Sequence, residues 1–571
     1  MADRYWVGGS DTWDATAGSK WALTSGGAGG EAVPTSADDV YIDSGSGAVT
    51  VTVGASSVCK DLKFISGAGS FAGTFAGSST LSFYGDLLLS ASMTWTYTGA
   101  LTAASTTAQT ITSNGKALTC PITFDGVAGS WALQDALTTG SSRTVTLTNG
   151  GLDLNGFNLT AGAFSSSNAN VRSITSGAGQ FYCTFAASSG TSILFNADVT
   201  TNLTFADRPT INLTGNGSGT ATRRIYLVVG QTEALAPDVN VTAGTDTVGA
   251  AVTTNMPMRN LNFTGFSGVL TGTLRVVYGN LTLSPTMTAA ATASSTTFAA
   301  TSGTQVITSN GVTLDFPIVV SAVGGTVQLA DALTMAAGRR LTLTAGTFDA
   351  NNKNVTTGNF TAGAGALTRV TSMGTGTWTI LDAGATAWST PAAASHTVTP
   401  STSTILMTAA TAKTFAGGGR TFWNLSNGGA GALSITGANT FNDLQNTVTP
   451  ATFTLPASTT TTVSALSLAG TAGNLVTLDS SSAGTRATLS KASGTVDVSY
   501  LSIKDSAATG GATFLAVPDN GNIDAGNNTG WKFNFIDVDV SGVEALGLIA
   551  QALVWALVDD GNTVTWVEIP T

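Results

Sequence analysis

The chain has 571 residues and a net charge of −11, and only 10% of its residues are charged, whereas 68 are glycine. This acidic balance excludes an ordinary nucleic-acid-binding protein, because neutralising phosphates requires a basic face. A 42% hydrophobic content with positive mean hydropathy excludes a disordered chain, since disordered chains are rich in charge and poor in apolar residues.

The first predicted element is an aromatic segment at residues 1–45. It contains YWVGG from Tyr5 and VPTSADDVYID from Val33, with three tryptophans, Trp6, Trp13 and Trp21, close together. Such large side chains supply enough apolar area to close the end of a stack of strands. An uncovered strand edge recruits other chains. We therefore predict that residues 1–45 cap the body that follows.

The body, residues 46–533, is strand-like almost throughout. Residues 49–53, 145–148 and 341–344 alternate apolar side chains with threonine. A period of two predicts an inward apolar row and an outward threonine row. These runs are short and are separated by Gly, Asn and Ser clusters that supply turns. The pattern predicts an all-β body.

Two long segments of the body repeat one another, about 59–165 and about 258–360. The matched pairs, in chain order, are 59–64 with 258–263, 111–115 with 307–311, 133–138 with 329–334, and 147–153 with 343–349. The first pair is offset by 199 residues and the other three by 196. Matches in the same order at nearly constant offset indicate a tandem duplication.

A shorter repeat places Asn or Asp directly before a strand leucine. It occurs at Asp61-Leu62, Asn202-Leu203, Asn260-Leu261, Asn424-Leu425 and Asp443-Leu444. We interpret it as an inward leucine stacked coil upon coil, because one coil cannot bury its apolar row alone. Coils of roughly 20–25 residues give about 20 coils and a rod on the order of 100 Å long. The predicted fold is a right-handed parallel β-helix; a run of sandwich domains is the alternative.

The last predicted element is a tail at residues 534–571. Two apolar runs flank Asp559-Asp560-Gly561-Asn562, and those turn residues favour a β-hairpin over 553–569. An apolar helix over 544–558 is the alternative, and 543–552 is left open. The stretch 545–558 is too short for a confident membrane span, and the first six residues lack a Sec-type signal. We expect a protein made in a cytoplasm, with no membrane partner.

Both ends of the body resemble a known group of proteins. YWVGG, Trp13 and VPTSADDVYID are similar to the opening of β-helical surface proteins of tailed-phage virions, and of some bacterial adhesin-like proteins. DAGNNTGWKF, from Asp524, resembles the closing coil of the same group. The tail resembles short C-terminal segments shared by structural proteins of marine phages. The resemblance covers the two ends of the body and the tail, whereas the middle of the body shares only the general strand-and-turn pattern of these proteins and no specific motif.

Catalytic candidates are sparse. The single histidine, His396, excludes every site that needs two imidazoles, and no metal site or cofactor is expected. The cysteines Cys59, Cys120 and Cys183 are odd in number and far apart in the sequence, and this favours buried free thiols over a disulfide framework. The adjacent acids Asp38-Asp39 and Asp559-Asp560 fit turns better than a catalytic pair. Four further acids could meet by stacking, but their duplication favours turns: Asp135, Asp153, Asp331 and Asp349.

The resemblance, together with the sparse catalytic candidates, implies a non-enzymatic structural component of a bacteriophage virion, a tail fibre, spike or head decoration. The expected partners are other virion proteins, further copies of the chain (a trimer is one arrangement) and a host surface glycan. Trp555 and Trp566 are the predicted anchors of the tail. Candidate glycan contacts are Trp95, Tyr97, Trp378 and Trp388, although core packing or the pinning of a loop is the commoner role for such residues. A polysaccharide-degrading tailspike and a secreted bacterial adhesin are the alternative functions.

Overall fold

The computed structural model describes residues 2–16, 18–199, 201–227, 232–250, 256–272, 275–533, 555–559 and 564–568. The described body is a β-solenoid of about 21 turns whose strands pair in parallel. At about 4.8 Å per turn the stack is on the order of 100 Å long. The all-β parallel solenoid predicted from the sequence is confirmed, whereas its right-handedness and the cap at residues 1–45 stay predictions.

Most turns place one strand on each of three faces, which we name A, B and C. Several longer strands bend around a corner and serve two faces, and these are Ile122–Leu133, Thr144–Asp153, Ile318–Leu329, Arg340–Asp349, Thr421–Asn427, Thr440–Asn446 and Thr460–Ser467. The remaining strands of face A are Ser57–Cys59, Leu81–Phe83, Leu101–Ala103, Ala163–Ser165, Thr191–Asn196, Thr222–Tyr226, Thr247–Ala250, Val269–Gly272, Thr288–Ala289, Leu333–Thr334, Val355–Thr357, Thr377–Ile380, Thr404–Met407, Thr495–Asp497, Thr513–Leu515 and Trp531–Lys532.

The remaining strands of face B are Asp3–Trp6, Asp39–Tyr41, Leu62–Lys63, Leu87–Leu88, Ala108–Thr112, Arg172–Thr175, Leu203–Phe205, Met256–Met258, Arg275–Val277, Thr296–Phe298, Asn359–Ala362, Gly384–Ser389, Lys413–Ala416, Leu433–Thr436, Ala451–Leu455, Val476–Ser480, Leu501–Ile503 and Ile523–Asp524. The remaining strands of face C are Asp11–Trp13, Thr50–Val53, Thr74–Gly77, Thr94–Trp95, Ala117–Leu118, Leu137–Thr139, Leu159–Ala161, Gln180–Cys183, Thr210–Leu213, Asp238–Val241, Leu261–Asn262, Leu281–Thr282, Thr304–Thr308, Arg369–Ser372, His396–Thr399, Ala487–Lys491 and Ser506–Gly510.

Three strand pairs are antiparallel. They join Trp21–Ala22 to Asp3–Trp6, Ile65–Ser66 to Gly69–Ser70, and Trp555–Asp559 to Val564–Glu568. Two short 3₁₀ helices, Ser44–Ser46 and Pro518–Asn520, are the helical segments of the described chain. None of its helices is long and apolar enough to cross a membrane.

The core is a set of stacked apolar rows inside the three faces. In Thr50–Val53 both valines are buried and the threonines face outward, as alternation requires. Leu62 pairs with Leu87, which pairs with Ile111 in the next coil, so one apolar row continues from turn to turn. Coil-to-coil stacking therefore supplies a burial that one turn alone cannot provide.

The polar residue before the stacked leucine joins one coil to the next. The Asp61 carboxylate accepts a hydrogen bond from the Asp86 N–H at 3.1 Å, and the Asn260 amide oxygen accepts one from the Asn280 N–H at 2.8 Å. Asp443 does the same for the Ser467 N–H at 3.1 Å. The short sequence repeat thus combines an inward apolar contact with an outward polar bond to the following coil.

The two long repeats share local structure but occupy different faces. Ile122–Leu133 and Ile318–Leu329 have the same length and carry their register shifts at equivalent positions. In the first copy the following strand, Leu137–Thr139, lies on face C. In the second copy the last residues of Ile318–Leu329 already lie on face C, and Leu333–Thr334 lies on face A. The copies are therefore displaced by one face around the rod.

Candidate functional site

The four aromatic residues considered as glycan contacts lie in the core. Trp95 is 6% exposed, and Tyr97, Trp378 and Trp388 are fully buried. Tyr97 donates its hydroxyl to the Ser79 carbonyl, and burial raises its pKa. The glycan-contact prediction is wrong for these residues, because a sugar cannot stack on a ring that the solenoid encloses.

The N-terminal tryptophans form one buried cluster. Trp6, Trp13 and Trp21 are at most 1% exposed, and the Trp21 ring meets each of the other two edge to face at 5.1 Å. This geometry is favourable because the positive edge of one ring contacts the negative face of the other. The three rings form part of the buried core at the start of the solenoid, and their role as a cap stays a prediction.

The duplicated acids hold turns. Asp135 accepts the Ser113 N–H at 2.7 Å, and its counterpart Asp331 accepts the Ser309 N–H at 2.8 Å. Asp153 and Asp349 each accept the N–H of the asparagine two residues later. These bonds support the interpretation of all four acids as turn residues.

Asp38 is also engaged in a turn. Its carboxylate accepts the Thr35 N–H and hydroxyl at 3.0 and 2.7 Å, and the Ala2 N–H at 3.0 Å. Burial acts to raise the pKa of Asp38, but these hydrogen bonds outweigh it and hold the pKa below its ordinary value. A carboxyl group that stays ionised in this way is unsuited to donate a proton as a general acid.

Several cations are buried inside the corners of the solenoid. Arg172, Arg223, Arg275, Arg369 and Lys413 are at most 3% exposed. Lys413 illustrates their role, because its ammonium donates to the carbonyls of Ala409, Gly429 and Gly431 at 2.8, 3.3 and 2.7 Å. Burial lowers the pKa of Lys413 to about 8. These side chains bind loop carbonyls together and are closed to a ligand from solvent.

His396 is fully buried in the same environment. Its Nε2 lies 3.0 Å from the Thr371 hydroxyl, and its Nδ1 has no hydrogen-bond partner among the described residues. Burial, together with the positive charges of Arg420 and Arg369, lowers the pKa of His396 to about 4. The imidazole is therefore neutral at pH 7 and packs as a buried side chain of the core.

Acidification is expected to destabilise the coils around His396. Between pH 6.5 and about 4 the unfolded chain binds a proton at His396 that the folded chain does not, so stability is complete above this window and falls as the pH falls through it. The full effect is on the order of 3 kcal/mol. Urea unfolding of the wild type and His396→Gln at pH 7 and pH 4.5 measures it. Because carboxylates also titrate near the lower pH, the difference between the two proteins is the readout, and equal losses contradict the prediction.

The three cysteines are free and buried. Burial raises the pKa of Cys120 and Cys183 to about 12 and that of Cys59 well above its ordinary value. Since the thiolate is the reactive species, these thiols are inert structural side chains.

A shallow polar concavity of about 320 Å³ lies on the outer surface of face C. Its lining comes from four successive coils and is rich in amides, with Asn240, Asn260, Asn262 and Asn280 beside Asp238. Asp238 accepts a hydrogen bond from the Asn260 amide at 2.7 Å. Asp238 is the one carboxylate among the described lining residues, so this surface lacks the carboxylate pair that glycoside hydrolysis ordinarily uses.

No protein-family model matches this chain, and neither the curated proteins nor the solved structures contain a significant match. Within the described residues, no cluster of three or more His, Cys, Asp or Glu side chains could hold a metal ion.

The surface carries exposed apolar residues that the sequence did not single out. Trp423 is 37% exposed, whereas the other eight tryptophans whose side chains the structure describes are at most 8% exposed. Val127 and Val323, at equivalent positions of the two copies, are 66% and 50% exposed. Because the copies occupy different faces, these valines lie at different corners and do not form one stripe. No sequence pattern marked Trp423 as an exposed residue, because its outward position depends on a corner of the chain within Thr421–Asn427.

Proposed function

We propose that this protein is a non-enzymatic structural rod, a fibre- or spike-like component of a bacteriophage virion that contacts the host surface. The observation that carries the proposal is the apolar core that continues through about 21 stacked turns. Densely packed interiors resist compression, and parallel backbone ladders join every turn to its neighbours. Such a body suits a long, stiff spacer.

The surface chemistry supports a structural role over a polysaccharide-degrading one. The duplicated acids are occupied by turn N–H groups, and the polar concavity on face C has a single lining carboxylate. Release of sugars from host capsule or lipopolysaccharide on incubation with the purified protein would establish the enzymatic alternative instead.

The virion assignment draws on the resemblance of the two ends to phage surface proteins. Purified particles from a phage that encodes this chain should contain it, and antibody labelling should place it on a projection whose rod is on the order of 100 Å long. Recovery of the chain on the bacterial surface, and its absence from particles, would support the adhesin alternative and contradict the proposal.

Residues 534–571 are proposed as the segment that attaches the rod to the virion. Its two described strands, Trp555–Asp559 and Val564–Glu568, pair with each other and with no described strand of the solenoid. Trp555 pairs with Glu568, and Leu557 pairs with Trp566, so both proposed anchors belong to this separate sheet. Their side chains lie outside the described part of the structure.

Deleting residues 534–571 is expected to abolish incorporation into particles while leaving the solenoid folded. Incorporation is measured by quantifying the chain in purified particles, and folding by circular dichroism and hydrogen exchange of the body. Paired replacement of Trp555 and Trp566 with alanine should reduce incorporation if the tryptophans are the anchors. Unchanged incorporation of the deletion variant would remove the attachment role.

A further inference from the structure

Trp423 lies at an outward corner of the rod. Phe422 and Leu425 are both buried although they are three residues apart, so the chain turns a corner between them and leaves Trp423 and Asn424 outside. The next coil repeats this corner, with Phe441 and Leu444 buried and the intervening pair outside. The corner is fixed by the core on both sides.

Polar residues lie beside Trp423 on the following coil. Phe422 pairs with Phe441 and Asn424 pairs with Asp443, so Asn442 and Asp443 lie next to Trp423 and Asn424 on the following coil. The Asn442 amide donates to the Asn424 oxygen at 3.0 Å. The Asn424 amide in turn donates to the Thr404 hydroxyl at 3.3 Å, so a row of polar side chains extends over three coils.

This polar row retains hydrogen-bonding capacity. The Asn442 oxygen accepts no hydrogen bond from a described residue, and Asp443 uses one oxygen for the Ser467 N–H at 3.1 Å. The second Asp443 oxygen accepts none within the same described part of the chain. Both oxygens are therefore available to hydroxyl donors.

We propose that Trp423, Asn424, Asn442 and Asp443 form a binding site for a neutral oligosaccharide. A pyranose ring presents an apolar C–H face that packs on an aromatic ring, and hydroxyl groups that bond to amide and carboxylate oxygens. The Asp443 charge and the net charge of −11 disfavour anionic sugars. This site rests on the proposed function in one respect, that the rod faces a cell surface.

The surroundings of Trp423 favour a sugar over a protein partner. A contiguous exposed apolar patch larger than a few hundred Å² often marks a protein-docking surface. Here the neighbours along the strand and in the next coil, Asn424, Asn442 and Asp443, are polar. A single aromatic platform bordered by amides matches the alternation of apolar and hydroxyl groups on a sugar.

The test uses the purified full chain on an array of neutral oligosaccharides built from hexoses, 6-deoxyhexoses and N-acetylhexosamines, with uronic-acid oligomers beside them. The wild type should bind at least one neutral oligosaccharide. Trp423→Ala should weaken that binding by at least about tenfold, whereas Trp423→Tyr should keep most of it. Asn442→Ala should weaken it by a smaller factor.

Phe157→Ala is the matched control, because Phe157 is also 37% exposed but lies in a distant coil. It should leave binding unchanged. Absence of binding to every neutral oligosaccharide, selectivity for the uronic-acid oligomers, or unchanged binding by Trp423→Ala would each overturn the site. Particle incorporation separates this proposal from the structural role: Trp423→Ala should assemble into particles normally, so a failed array with normal assembly removes only the sugar site.

Discussion

Replacing Asp246 with asparagine is expected to destabilise the middle of the rod by about 3–5 kcal/mol. Arg223 and Asp246 form a fully buried ion pair, with Nε and Nη2 of the arginine each 2.7 Å from a carboxylate oxygen. Removal of the carboxylate charge leaves the Arg223 guanidinium buried without its counter-charge. The asparagine keeps the side-chain size, so the cost reports the lost charge and the lost acceptor oxygen rather than a cavity.

The surroundings explain why the pair cannot easily rearrange. Arg223 also donates to the carbonyls of Gly215 and Ala243, at 2.7 and 2.6 Å. Gly244 has φ +109°, and a Cβ there would lie 2.2 Å from the guanidinium. A Cβ on Gly217 would lie 2.3 Å from the Asp246 carboxylate. Gly217 and Gly244 therefore lie so close to the ion pair that any larger residue at either position would clash with it.

Hydrogen exchange of the Thr222–Tyr226 and Thr247–Ala250 amides measures this effect, because a solenoid loses stability locally. The double variant Arg223→Met with Asp246→Asn should lose less stability than the sum of the losses of the two single variants, since neither charge is then left alone.

Glu31→Gln is the control. Glu31 lies 3.6 Å from Arg4 with its side chain 38% exposed, and removing its charge should cost about 0–1 kcal/mol of stability. A similar cost for Asp246→Asn and Glu31→Gln would contradict the prediction.

The fold class was predictable because each coil repeats the same local rule. Alternation in Thr50–Val53 and the polar residue before Leu62 both specify which side chains face inward and how coils join. The relative orientation of the two long repeats was not predictable, since the number of strands between them depends on turns of variable length. A 196-residue offset says nothing about which of three faces a copy begins on.

The aromatic surface was harder to predict for a related reason. Trp378, Trp388 and Trp423 all lie in strands, and their local sequences do not separate inward from outward positions. The inward side is set by which residues stack on the neighbouring coils, and a corner shifts the alternation by one residue, as at Trp423. The buried cations were missed because their carbonyl partners come from loops of other coils.

Trp388→Ala is expected to cost about 3–5 kcal/mol, whereas Trp423→Ala should cost about 1 kcal/mol, because Trp423 is 37% exposed. Trp388 is fully buried and its ring lies 4.6 Å from that of Phe360 and 5.7 Å from those of Trp378 and Phe415. Truncation removes contacts with the coils before and after it and leaves a cavity that the stacked backbone cannot close.

Trp388→Phe supplies the intermediate case. The Trp388 Nε1 has no hydrogen-bond partner among the described residues, so phenylalanine loses volume but no hydrogen bond and should be milder than alanine. Hydrogen exchange in Asn359–Ala362 and Lys413–Ala416, the strands that pair with the Trp388 strand, measures the loss. Amides in the distant strand Leu81–Phe83 should keep their protection, because each coil contacts only its neighbours. If Trp388→Ala were as mild as Trp423→Ala, the interior position of Trp388 would be wrong.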